Sequence, residues 1–168
     1  MRLIIGVVLI NLMTATASAE VIKSAVNGFI IQHSTTIAYD HAGVFKTMTG
    51  KVGDWWSPEH SFSGDASNMS VDSHCFCERW DGNLVRHLNT TIWIENAKVV
   101  MEGGLGPLKE LGLNGTMIWL VAPIEDGGTS VTWKYHVHGF SETVLVGLAP
   151  VVDGVLKEQI GRLAGHLK

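Results

Sequence analysis

The sequence predicts an α+β domain: a curved antiparallel sheet closed by one long C-terminal helix, with two short helices after the first strand. Three observations carry this. Segments rich in β-branched and aromatic residues, punctuated by turn chemistry, run from Phe29 to His138. The apolar period then lengthens, and Leu145, Leu148, Val152, Leu156, Ile160, Leu163 and Leu167 form one helical stripe. Finally, 46% hydrophobic and 17% charged residues in a 168-residue chain suit one folded domain and exclude a disordered one.

The elements follow in order. Phe29–Ala38 reads as a strand. Asp40 is a good N-cap for a short helix over His41–Thr49. Gly50 and Gly53 punctuate a second short segment that ends in Asp54-Trp55-Trp56-Ser57-Pro58. Ser61–Val71 is small and polar and reads as a loop or a weak edge strand. His74–Trp80 and Leu84–Ile94 are strands joined by a hairpin turn at Asp81-Gly82-Asn83. Glu95-Asn96-Ala97 turns the chain into Lys98–Glu102, and Gly103–Leu108 breaks the pattern. Gly115–Pro123 and Thr129–His138 form the last hairpin, around Glu125–Gly128. The middle of the chain therefore holds about five or six antiparallel strands. In the last of them Val131, Trp133, Tyr135 and Val137 alternate with Thr132, Lys134, His136 and His138, so the second set, with its histidine pair, faces water. Pro150 marks a start or a kink of the terminal helix.

The N-terminus is set apart from this domain. Arg2, an apolar run over Leu3–Leu12 broken by Gly6 and Asn11, and Ala17-Ser18-Ala19 match a signal peptide cut after Ala19. The run is too short for a permanent membrane span. The expected organisation is a signal peptide over 1–19 and a single domain over 20–168. The mature chain is expected in the periplasm or secreted, with no stable membrane insertion.

Charge excludes one class of partner. With 12 basic and 16 acidic side chains the formal net charge is −4, which offers no footprint for nucleic acid. Two cysteines are too few for a disulfide-built scaffold. The sequence sets no oligomeric state.

Certain residues are similar to a known superfamily. They are Trp55-Trp56-Ser57-Pro58-Glu59-His60, Ser63-Gly64-Asp65-Ala66, Cys75-Phe76-Cys77-Glu78, Gly104-Leu105-Gly106-Pro107-Leu108 and Gly128–Tyr135. Together the chain resembles the START-like, or SRPBCC, superfamily of helix-grip folds, which includes pollen-allergen-like proteins, polyketide cyclases and lipid-transfer domains. It most resembles an exported bacterial branch. The likeness runs from about Phe29 to Lys168. It implies the helix-grip fold and, in general terms, a hydrophobic or amphipathic small-molecule ligand. It implies no catalytic motif that these positions complete.

The candidate site residues come from the concave space between sheet and helix, where small ligands usually bind. Trp55, Trp56, Phe76, Trp119 and Tyr135 are expected as walls, and His60, Glu78 and His87 as polar anchors. Paired indoles offer large area and a donor N–H; packing alone also accounts for them. Glu78 alternates with Phe76 and Trp80. Facing inward, it would have its pKa raised by desolvation, into the range of a general acid or base. Facing outward, it would pair with a neighbour such as Arg86. Glu78 and His87 are thus the catalytic candidates.

Cys75 and Cys77 share a strand face roughly 6.5–7 Å apart, the outer limit for a bridge. A strained disulfide, two quiet buried thiols and a redox or metal role all fit. Eight histidines invite a metal, but no tight three-ligand spacing occurs, and no metal or cofactor is expected. Gly103–Pro107 lacks the Lys-Ser/Thr of a phosphate loop and reads as a bend in the sheet.

Three functions compete. The first is an exported binding protein for a hydrophobic or amphipathic small molecule. The second is a polyketide cyclase- or dehydratase-like enzyme using Glu78 or a histidine in the same cavity. The third is a protein-interaction role like that of heat-shock ATPase activators, which an export signal argues against.

Overall fold

The computed structural model describes residues 18–125, 127–140 and 145–168. The apolar run and most of the expected signal peptide lie outside these residues, as does position 126 of the last hairpin turn. Strands β1 (Ser18–Ala25), β2 (Gly28–Ile37), β3 (Met69–Val71), β4 (Cys75–Trp80), β5 (Asn83–Ile94), β6 (Lys98–Glu102), β7 (Asn114–Pro123) and β8 (Thr129–His138) form one antiparallel sheet in the order β1-β2-β8-β7-β6-β5-β4-β3. Helices α1 (His41–Gly50) and α2 (Val52–Trp55) follow β2, and α3 (Leu145–His166) lies against β1 and β2. This is the α+β helix-grip arrangement that the sequence predicts.

Local chemistry explains the boundaries. The Asp40 carboxylate accepts the Gly43 N–H and caps α1. Trp80 and Asn83 pair across a two-residue turn in which Asp81 and Gly82 both have positive φ, the geometry that matches strand twist. On β8, Val131, Trp133, Tyr135 and Val137 are buried, while Thr132, Lys134 and His136 are half-buried and His138 is exposed.

Two features differ from the sequence reading. The sheet has eight strands because β1, absent from the sequence reading, pairs with β2 from Ser18 onward; the weak edge strand read within Ser61–Val71 is the short β3 at the far edge. A segment read as export signal up to Ala19 thus overlaps, at Ser18 and Ala19, a strand that periodicity alone did not reveal. Helix α3 starts by Leu145 and runs through Pro150, so of the two readings offered, a start or a kink, the start is excluded. The proline costs the helix one backbone donor, which tertiary packing outweighs.

The interior is largely aromatic. Trp119 and Trp133 stack at 4.8 Å between ring centroids, Trp55 leans on both, and Trp56 meets Phe76 edge-on at 5.0 Å. Val44, Phe45 and Met48 from α1 and Leu145, Ala149, Leu156, Ile160 and Leu163 from α3 complete the core.

Candidate functional site

The aromatic plug decides where space remains. Trp55, Trp56, Phe76, Trp119 and Tyr135 are buried in the core and line neither of the two hollows described below. One open volume, about 490 Å³ and mostly apolar, lies at one end of the domain. Its walls are Leu148, Val151, Val152 and Val155 of α3, the loop residues Leu105–Leu108 with Leu111, and the segment Glu59–Phe62. His87 of β5 lines it from the sheet side. Of the residues expected from sequence, this pocket brings together His60 and His87, with Glu78 directly behind.

A β-bulge brings His87 there. Phe76 pairs with Leu88 and Cys77 with Arg86, so His87 is the extra residue on β5. The bulge breaks the alternation, and His87 and Leu88 are both buried. Cys75 and Cys77 have Cα atoms 5.5 Å apart and form a disulfide, which decides among the readings that the spacing left open.

Glu78 faces inward and is 0% exposed. Its partner is His87, not Arg86, whose guanidinium instead bonds to Asn89. Glu78 Oε2 lies 3.3 Å from His87 Nε2 and accepts the Phe62 N–H at 2.9 Å, and Oε1 accepts the Ser63 N–H at 2.6 Å. Desolvation raises the Glu78 pKa, as the sequence reading anticipates. The bonds from Ser63 and Phe62 outweigh it and hold the carboxyl below its ordinary value. That corrects the expectation of a raised pKa: Glu78 is a carboxylate near neutrality, suited to orienting a histidine and not to donating a proton.

His87 shifts downward as well. Burial outweighs the Glu78 charge, and Lys109 adds to the depression. A neutral imidazole beside a carboxylate carries its proton on Nε2, which leaves Nδ1 as an acceptor. That Nδ1 is buried and has no hydrogen-bond partner. The indole N–H of Trp119 is also buried and unpartnered, but it belongs to the core.

Two further contacts shape the pocket. Tyr135 donates to the Gly103 carbonyl at 2.8 Å and accepts the Leu105 N–H at 2.9 Å, so it fixes the start of the pocket loop from below. Gly103 is needed there: φ is +144°, and a Cβ would sit 2.8 Å from the His87 carbonyl oxygen. The glycine-rich stretch read as a bend in the sheet is thus the root of a pocket wall. Gln159, fully buried on α3, accepts the Ser57 N–H at 2.8 Å, which orients its amide to donate to His60 Nδ1 at 3.0 Å.

Sequence reasoning missed Phe62, Leu105, Pro107, Leu111 and the α3 valines as lining. For Leu148 and Val152 the helical stripe was the available signal. It also missed His33, whose Nε2 approaches Asp153 of α3 to 2.9 Å, an ion-pair distance with the N–H out of line with the oxygen. Burial lowers the His33 pKa more than Asp153 raises it.

A second hollow of about 660 Å³ lies at the opposite end, between Thr35–Tyr39 and the end of α3. Among the described residues no cluster of three His, Cys, Asp or Glu side chains is arranged to hold a metal. No described helix is long and apolar enough to cross a membrane.

No family model matches the chain, and no curated protein matches it in sequence. Solved structures do match in shape. The Aha1 dimer of Colwellia psychrerythraea is 15% identical with a TM-score of 0.58, over 82% of this chain and 95% of that one. DynU16, a putative protein in the dynemicin biosynthetic locus, is 12% identical at a TM-score of 0.57, over 82% of this chain and 46% of that one. Ara h 8.0201 is 10% identical at a TM-score of 0.54, over 82% and 96%. At these identities the likeness concerns architecture alone, and it agrees with the strand order and terminal helix described above: the chain has the α+β helix-grip fold.

Proposed function

We propose that this chain is an exported binding protein for an apolar or amphipathic small molecule, held in the pocket between α3, the Leu105–Leu111 loop and the Glu59–Phe62 segment. The observation that carries the reading is a pocket of about 490 Å³ with almost wholly aliphatic and aromatic walls and one buried imidazole. A ligand that buries on the order of 200 Å² of apolar surface there gains ~5 kcal/mol before ordering costs. The Cys75–Cys77 bridge supports the export part, since disulfides persist in oxidising compartments.

Native mass spectrometry of the purified protein, with thermal shifts against fatty alcohols and fused-ring aromatics, tests the binding. The expected result is a retained or added small molecule and a raised melting temperature. If every compound leaves mass and melting temperature unchanged, the reading fails. N-terminal sequencing of the exported chain is expected to begin at Glu20.

The Glu78–His87 pair favours a second reading, a cyclase- or dehydratase-like enzyme. A carboxylate-oriented imidazole with a free Nδ1 can take a proton from a carbon next to a carbonyl, leaving an enolate. DynU16, from a biosynthetic locus, shares the fold. Deuterium wash-in at that carbon of an aromatic ketone, lost in His87→Phe, would favour this reading over simple binding.

A further inference from the structure

Resting on the binding reading, we infer that the ligand carries a neutral hydrogen-bond donor, an alcohol or phenol hydroxyl, which His87 Nδ1 accepts, and that Glu78 acts as the positioning residue that sets this preference. The argument is geometric. His87 is 2% exposed and lines the pocket. Its Nε2 is engaged by a carboxylate that only accepts, so the proton stays on that nitrogen. Nδ1 is therefore a lone pair with no protein donor, and an unmet buried acceptor carries a desolvation cost that a ligand donor relieves.

Charge narrows the class further. A ligand carboxylate would offer a second acceptor to an acceptor, with the Glu78 charge behind it. An ether or ester would likewise leave Nδ1 unmet. Because Nδ1 is itself buried, a neighbouring side chain must move aside to admit the ligand, and Phe62 is the candidate. Its ring is 5.8 Å from the imidazole, it lines the pocket, and at 46% exposure it has room to turn outward. His60 stands at the same pocket with its Nδ1 already committed as an acceptor to Gln159, so it does not duplicate the His87 role.

The experiment uses matched probes: 2-naphthol against 2-methoxynaphthalene, and decanol against its methyl ether, by calorimetry and thermal shift on the whole chain. The hydroxyl compounds are expected to bind about ten-fold more tightly than their ethers. His87→Phe is expected to erase that ratio while keeping ether binding. Equal binding of hydroxyl and ether to the wild-type chain overturns this inference and leaves the pocket reading intact. Failure of all four probes to bind overturns both. Should His87→Phe fail to fold, nitrogen NMR of the ¹⁵N-histidine-labelled wild-type chain decides. An unprotonated Nδ1 resonance that moves with naphthol and not with its ether supports the proposal, and a protonated Nδ1 overturns it.

Discussion

Glu78 Oε2 and His87 Nε2 stand 3.3 Å apart on adjacent strands, and the same carboxylate ties down the Phe62 and Ser63 backbone. One side chain thus couples the histidine on the pocket floor to the loop that forms its rim. Glu78→Ala leaves two backbone N–H groups and an imidazole N–H without partners. It is expected to cost ~2 kcal/mol or more in urea unfolding and to loosen the rim, visible as faster amide exchange at 61–63.

Gln159 makes the matching link from the helix side. Gln159→Leu keeps the volume but orphans the buried Ser57 N–H and frees His60. A loss of ~1–3 kcal/mol is expected. Arg162 still holds the Trp55 carbonyl at 2.8 Å, so the helix should stay docked, with unchanged far-ultraviolet dichroism.

Filling the pocket separates binding from stability. Val152→Trp places an indole in the open volume, where the wall is only partly buried. Ligand-induced thermal shifts should vanish while the melting temperature of the free chain moves by no more than a few degrees. A large drop in that temperature would mean that the space is not available.

Acid is expected to destabilise the fold. His33 and His87 both have pKa values below 6.5 in the folded chain, so the unfolded chain takes up protons first as the pH falls. Stability is intact above about pH 6.5. It then declines by at most ~1.4 kcal/mol per pH unit for each imidazole, until the folded-state values are reached. Glu78 and Asp72, held below their ordinary values, extend the loss below about pH 4.5. Urea midpoints between pH 8 and 4 check this, and His33→Phe should flatten the upper part of the curve.

The disulfide closes a very short loop, so the chain-entropy model assigns it only ~1.6 kcal/mol. Replacing Cys75 and Cys77 together by Ala should cost about that much. The thiols of the native protein should resist alkylation until it is both reduced and unfolded, because both residues are buried.

Most of the secondary structure was legible because periodicity is local. The alternation of Val131, Trp133, Tyr135 and Val137 and the stripe from Leu145 to Leu163 follow from strand and helix geometry alone. The hairpin at Asp81-Gly82 follows from turn chemistry. Strand β1 was not legible, since its residues overlap a segment with the marks of a leader and find their partner only in β2.

The site divides the same way. Strand alternation singled out Glu78, with His87 named beside it as a polar anchor, while the expectation of a hydrophobic or amphipathic guest came from the family resemblance and the concave space between sheet and helix. Whether two such side chains meet depends on strand register. Register here turns on a bulge at His87, which one extra residue creates and no local pattern announces. Packing settled the rest: indoles large enough to wall a cavity are also large enough to fill one, so Trp55, Trp56 and Trp119 became part of the core and the open space moved to the helix, the loop and Phe62.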